Sequence, residues 1–190
     1  TNLSVMLTSN NKKVLLIGAD LRNPQIHKII GVEKRDHKGV TECIYNSKNN
    51  WRDYVINESK NLDILLSGVI PPNPTQMLAS KNFKQIIDEA SNEYDFVLID
   101  SAPCLLVSDT FEISKLVSTT VFVVRANFTN KKLINFLNES IANKKLPNVG
   151  IVLNSVGNSG IYGYNYGYSY KYGYSYGYNY GYGYGYSEDK

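Results

Sequence analysis

Five short apolar runs, KKVLLIGAD, LDILLSG, YDFVLIDSAP, TTVFVVRAN and NVGIVLNSV, constrain this chain more than any other feature of its sequence. Each is built mostly of Val, Ile and Leu and stops at polar or Gly/Pro residues. Each therefore reads as a strand buried on both faces. Helical spacing recurs between them: at about 39–47, at 75–91 through Met77, Leu78, Phe83, Ile86 and Ile87, at 108–117, and at 130–145 through Leu133, Ile134, Phe136, Leu137 and Ile141. Strands alternating with helices predict right-handed βαβ units, and so an α/β, Rossmann-like, mainly parallel sheet with helices on both faces. Ligands of such sheets bind at the carboxyl ends of the strands. That rule selects Asp20, Gly68, Asp100, Arg125 and Asn154 and the loops that follow them.

The composition changes abruptly near residue 157. Residues 1–157 read as one globular domain, and 158–190 as a flexible appendage with a tyrosine at every second position. These are Tyr162, Tyr164, Tyr166, Tyr168, Tyr170, Tyr172, Tyr174, Tyr176, Tyr178, Tyr180, Tyr182, Tyr184 and Tyr186. With Gly, Asn, Ser or Lys between the rings and no aliphatic residue after Ile161, this stretch buries too little surface to offset its ordering entropy. Taken alone, it reads either as a set of exposed phenols or as an adhesive low-complexity repeat.

Twenty Lys and Arg against seventeen Asp and Glu leave a net charge of +3, which argues against a nucleic-acid partner. The two cysteines, Cys43 and Cys104, stand far apart without metal-ligand spacing, as suits a reducing compartment. Two histidines, His27 and His37, do not suggest a metal site, and His27 reads as a surface residue. Asp20, Asp95, Asp100 and Arg125 interrupt every apolar run well short of the eighteen or so residues of a membrane helix.

Two runs, VLLIGAD and FVLID, end directly in an aspartate, Asp20 and Asp100. A carboxylate at the end of a buried strand is costly unless it is solvated, paired or bound to a cation, and a hydrated magnesium on phosphates uses one or two such groups. Each aspartate alone could equally cap the next helix. Asp100 has the Walker B pattern, yet the phosphate-cradling G-x-x-x-x-G-K-[ST] is absent. TNLSVMLTSNNKKVLLI looks like the helix that follows such a loop, so the expectation is that a first strand and a P-loop precede Thr1. Pro71, Pro72, Asn73 and Pro74 read as a stiff entry to the helix near Thr75, or simply as a loop stop. Cys104, beside the Walker B loop, reads as a core residue.

VLLIGADLRNPQIHKIIG, LDILLSGVIPPNPTQMLAS, YDFVLIDSAPCLLVSD, VFVVRANFT and GIVLNSV together resemble, in order and spacing, the cytoplasmic kinase domain of the bacterial tyrosine kinases of capsule and exopolysaccharide synthesis. The resemblance covers about residues 1–157, and SGVIPPNPTQMLAS separates it from the partitioning ATPases. It implies a P-loop fold, ATP and Mg²⁺ as cofactors, and autophosphorylation in trans of the C-terminal tyrosines. It also implies a ring-like assembly of neighbouring copies, with a membrane-anchored polysaccharide co-polymerase segment or activator subunit at the cytoplasmic face of the membrane. Asp20 matches the second aspartate of the family's Asp-x-Asp-x-Arg motif, a magnesium ligand, and Arg22 matches its arginine. Asp100 matches Walker B, and Asn154 is a candidate adenine contact. The motif's first aspartate falls on Gly18, and Ala102 replaces the first of two prolines. The Gly18 departure keeps a catalytically weak regulatory scaffold open as an alternative, beside a partitioning-type ATPase switch.

Overall fold

The computed structural model describes residues 1–33, 37–46 and 49–156. In chain order the elements are α1 (Asn2–Thr8), β1 (Val14–Gly18), α2 (Ile26–Ile29), α3 (Val40–Tyr45), a 3₁₀ turn (Trp51–Tyr54), β2 (Val55–Ser59), β3 (Leu62–Leu65), α4 (Pro74–Leu78), α5 (Lys81–Glu93), β4 (Phe96–Asp100), α6 (Asp109–Ser114), β5 (Thr120–Arg125), α7 (Lys132–Ala142) and β6 (Val149–Asn154). Four strands form one sheet in the order β2-β3-β1-β4, and β5 and β6 pair separately.

The run VLLIG becomes the central strand because every one of its residues is apolar or lacks a side chain, and all five are buried. β1 is parallel to β3 on one side and to β4 on the other. Alternate residues serve the two faces: Leu15, Ile17 and Ala19 pack with Leu78, Phe83, Ile87 and Ala90, whereas Val14 and Leu16 pack with Ile26, Leu62 and Ile64. This is the two-sided burial of a parallel sheet.

Two features depart from the sequence expectation. The helix expected over 75–91 is two helices, because Ser80 leaves the helical region (φ −75°, ψ 156°) and its side chain accepts a hydrogen bond from the Phe83 N–H at 3.2 Å. That N-cap starts a new helix at Lys81. Phe83, Ile86, Ile87 and Ala90 then fall on its buried face. The expectation that all five runs are buried on both faces holds for β1 and nearly for β3, and fails for β4, β5 and β6. Phe96, Val123 and Leu153 are 41%, 60% and 57% exposed. Among the described residues β4 pairs only with β1, and β5 and β6 only with each other, so these strands lack the flanking structure that covers β1. The antiparallel strand β2, joined to β3 by a tight turn, was not expected, because VINES carries too short an apolar pattern to stand out.

The loop after β3 is held against α3 by close backbone packing. Val40 and Thr41 N–H groups donate to the Leu66 and Ser67 carbonyls at 2.8 and 3.0 Å. The Glu42 carboxylate accepts from Gly39 N–H at 2.8 Å and from Val69 N–H at 3.1 Å. A Cβ at Gly39 would collide with the Leu66 carbonyl, and Gly68 turns at φ +76° beneath Glu42. No helix among the described residues is long and apolar enough to cross a membrane.

These contacts predict that Gly39→Ala lowers stability by about 1–3 kcal/mol or more through overpacking. Gly150→Ala, with nothing within 4 Å of the added carbon, should change it by less than about 0.5 kcal/mol. Urea unfolding of the two variants checks both; equal midpoints would contradict the packing at Gly39.

Candidate functional site

Parallel pairing sets Gly18 opposite Asp100. The chain leaving β1 therefore crosses the end of β4 at once, with the Ala19 N–H donating to the Asp100 carbonyl at 2.7 Å. Asp20 follows, and Gly18, Asp20 and Asp100 line one narrow crevice with Pro24, Ile26, His27, Leu66 and Ser67. The Asp20 Oδ1 accepts from the N–H groups of Arg22 and Asn23 at 3.1 and 2.9 Å. This turn, closed by a side chain on its own backbone, fixes the carboxylate at the strand end.

Asp100 is exposed as a residue, yet enough protein surrounds its carboxyl that desolvation raises its pKa. The Asp20 charge adds to that shift. Two carboxylates on one crevice repel each other, and a cation shared between them relieves the repulsion. In donor type the pair suits a hydrated magnesium ion, which uses one or two carboxylates. Among the described residues no group of three or more His, Cys, Asp or Glu could hold a metal. The remaining ligands would be water or phosphate oxygens, as is usual for magnesium.

Arg22 does not point into the crevice. Its Nε and Nη2 donate to the two oxygens of Asp109 at 2.7 and 3.0 Å, and Nη2 also donates to Thr75 Oγ1 at 3.1 Å. The Asp109 hydrogen bond raises the Arg22 pKa. Asn154 ends β6 on the second sheet, where its Oδ1 accepts from the Ser155 N–H at 2.8 Å; this is a turn contact. Asp20 and Asp100 thus share a crevice, whereas Arg22 faces Asp109 and Asn154 stands on another sheet. All thirteen tail tyrosines, Tyr162 to Tyr186, lie outside the described residues.

Gly18 is tightly enclosed: a Cβ there would lie 3.1 Å from the Ser67 nitrogen and 3.3 Å from the Ile26 Cδ1. His27 is partly buried and lines the crevice. Burial raises the Cys104 thiol and pushes Cys43 up to about 12, so neither is poised as a thiolate. Two residues in this region were not selected from the sequence, Asp109 and Thr75. Asp109 reads locally as an acid in the first turn of a helix, and only the fold brings Arg22 to it.

The family model described as an AAA domain matches residues 1–151. The chain is 34% identical over 153 residues to the tyrosine-protein kinase YwqD of Bacillus subtilis, an alignment covering 80% of this chain and 64% of that protein. Among solved structures, the kinase domain of VpsO superimposes with a TM-score of 0.75 at 30% identity, covering 82% of this chain and 76% of that one. The kinase domain of the Escherichia coli tyrosine kinase ETK also gives 0.75, at 28% identity, covering 87% and 64%. The chain spans less than two thirds of YwqD and 21% of several longer relatives. With the mainly parallel α/β sheet described above, these similarities show that the chain belongs to the bacterial tyrosine kinases built on a P-loop α/β domain.

Proposed function

We propose that this chain is part of an ATP-dependent protein-tyrosine autokinase of an exopolysaccharide or capsule system, with its own C-terminal tyrosines as acceptors. The observation that carries this reading is the placement of Asp20 and Asp100 together at the carboxyl ends of neighbouring parallel strands. Bound there, magnesium would supply charge neutralisation on the phosphates. The chain's own residues supply the rest. Asp20, held by its turn, is the carboxylate placed to orient an entering phenol and accept its proton as the tyrosine oxygen bonds to the γ-phosphorus and the bond to the departing ADP breaks. Such transfers depend mostly on positioning and electrostatics.

An upstream strand and P-loop, as expected from the sequence, would cradle the triphosphate. The single-sided pairing of β4 and of β5, each with exposed apolar residues, supports the need for further sheet. The alternating tail suits an acceptor. A flexible coil of about 30 residues would span roughly 30 Å root-mean-square, a reach that suits transfer between copies. Each phosphate adds about −1.5 to −2 charges, so extensive modification would outweigh the chain's +3 and drive neighbours apart. In this reading the copies assemble as a ring beside a membrane-anchored co-polymerase segment or activator, at the cytoplasmic membrane face.

A second reading, a catalytically weak scaffold of polysaccharide export, is favoured by one observation. Gly18 supplies no carboxylate where the family motif has its first aspartate, and Ser67 and Ile26 crowd the space a side chain would need.

In the full-length protein, Asp20→Asn and Asp100→Asn should each reduce autophosphorylation by at least about 10²-fold, the lower end of what a positioned acid or base contributes. Unchanged rates in both variants would remove the site assignment. Gly18→Asp tests whether the missing carboxylate limits the rate. A weakened kinase gains tail phosphorylation, by up to about 10²–10⁴-fold; no gain in a folded variant means that Asp20 already suffices or that the chain is a scaffold. For the acceptors, a subunit made inactive by Asp100→Asn is mixed with a tail-deleted active one. Mass spectrometry should then find phosphate spread over several positions from Tyr162 to Tyr186 of the inactive subunit. Phosphate confined to Tyr45, Tyr54 or Tyr94 would refute the tail as substrate.

A further inference from the structure

Asp109 opens α6, nine residues beyond Asp100, and its side chain is fully buried with 0% exposure. A buried carboxylate must find partners. Asp109 has two, from different parts of the chain. Its Oδ2 accepts from the Arg22 Nε at 2.7 Å, and its Oδ1 accepts from the Arg22 Nη2 at 3.0 Å and from the Thr75 hydroxyl at 2.5 Å. Arg22 Nη2 also reaches Thr75 Oγ1 at 3.1 Å, which closes a three-residue ring. Burial pushes the Asp109 carboxyl up, but the hydrogen bonds from Arg22 and Thr75 outweigh it and hold the group below the ordinary carboxylate value.

The ring joins the three loops around the crevice. Arg22 is two residues past Asp20, and its backbone N–H is one of the two donors to the Asp20 Oδ1. Thr75 is the second residue of α4, whose first position is Pro74. Asp109 terminates the loop that starts at Asp100. A planar, bidentate arginine fork fixes direction as well as distance, which a lysine ammonium does not. The backbone of Arg22 thus holds one carboxylate of the pair while its side chain is anchored at the far end of the loop leaving the other.

We propose that Asp109 is a positioning residue for the carboxylate pair: acting through Arg22, it sets where Asp20 stands relative to Asp100. The inference rests on reading that pair as a magnesium site. It assigns Arg22 to bracing the loop rather than to contacting phosphate.

The test uses the full-length protein with Mn²⁺ as the probe, its binding in the presence of ADP followed by electron paramagnetic resonance. Asp109→Asn keeps the side chain's shape and its contact with Thr75 but loses the charge that orients Arg22. Its Mn²⁺ dissociation constant should rise about 10–100-fold, the usual cost of removing a group that orients a metal ligand. ADP affinity without metal should not change. Arg22→Lys, which lacks the fork, should give a similar rise.

Because Asp109→Asn leaves Arg22 without its counter-charge, a double variant, Arg22→Met with Asp109→Leu, replaces the ion pair with apolar side chains of similar volume, a change that often preserves stability. It should unfold near the wild-type temperature and still bind Mn²⁺ weakly. Wild-type Mn²⁺ affinity in the folded double variant would overturn the positioning role and leave Asp109 as a packing residue. Asp20→Asn and Asp100→Asn serve as controls. If these also bind Mn²⁺ as the wild type does, the site reading itself fails and the positioning role falls with it.

Discussion

Two carboxylates stand at the ends of adjacent parallel strands, and much of the molecule is arranged to keep them there. The pairing of Gly18 with Asp100 brings the two chain exits together, and the turn closed on Asp20 Oδ1 holds the second carboxylate at the same end. The arrangement is unfavourable for the protein alone, because desolvation and the Asp20 charge both disfavour ionisation of Asp100. A cation between the carboxylates would offset that cost. Local electrostatic cost of this kind is a common mark of a functional site.

The rigidity beneath the pair comes from two-sided burial. β1 serves one cluster with Leu15 and Ile17 and the other with Val14 and Leu16, so it cannot slip in register without turning both sets to the wrong face. The loops above it are held by polar contacts instead. Glu42 joins the start of α3 to the turn after β3, and the Arg22–Asp109–Thr75 ring joins three further segments. Core packing thus sets the strands, and hydrogen bonds set the loops.

Much of the fold was legible in the chain. VLLIGAD and YDFVLID read as strands ending in aspartates because uninterrupted apolar runs have few other uses in a domain of this size. The break at Ser80 was less visible, since Met77, Leu78 and Phe83 keep nearly helical spacing across it and only the backbone angles at Ser80 show that the helix restarts. VINES was missed because an antiparallel edge strand needs only a brief apolar pattern. The exposure of β4, β5 and β6 was not legible either, because a sequence records how apolar a strand is and not how many neighbours it has.

The sequence by itself determined the strand and helix alternation, the two aspartates at strand ends and the compositional boundary near residue 157. These are local properties, set by side-chain type and period. Only the tertiary structure decided the rest: that Arg22 turns away from the crevice to a buried Asp109, that Thr75 completes that ring, and that Asn154 stands on a separate sheet. Arg22 and Asp109 are 87 residues apart in the chain. A carboxylate that must be paired because the fold buries it can choose its partner only after the strands that carry both have come together.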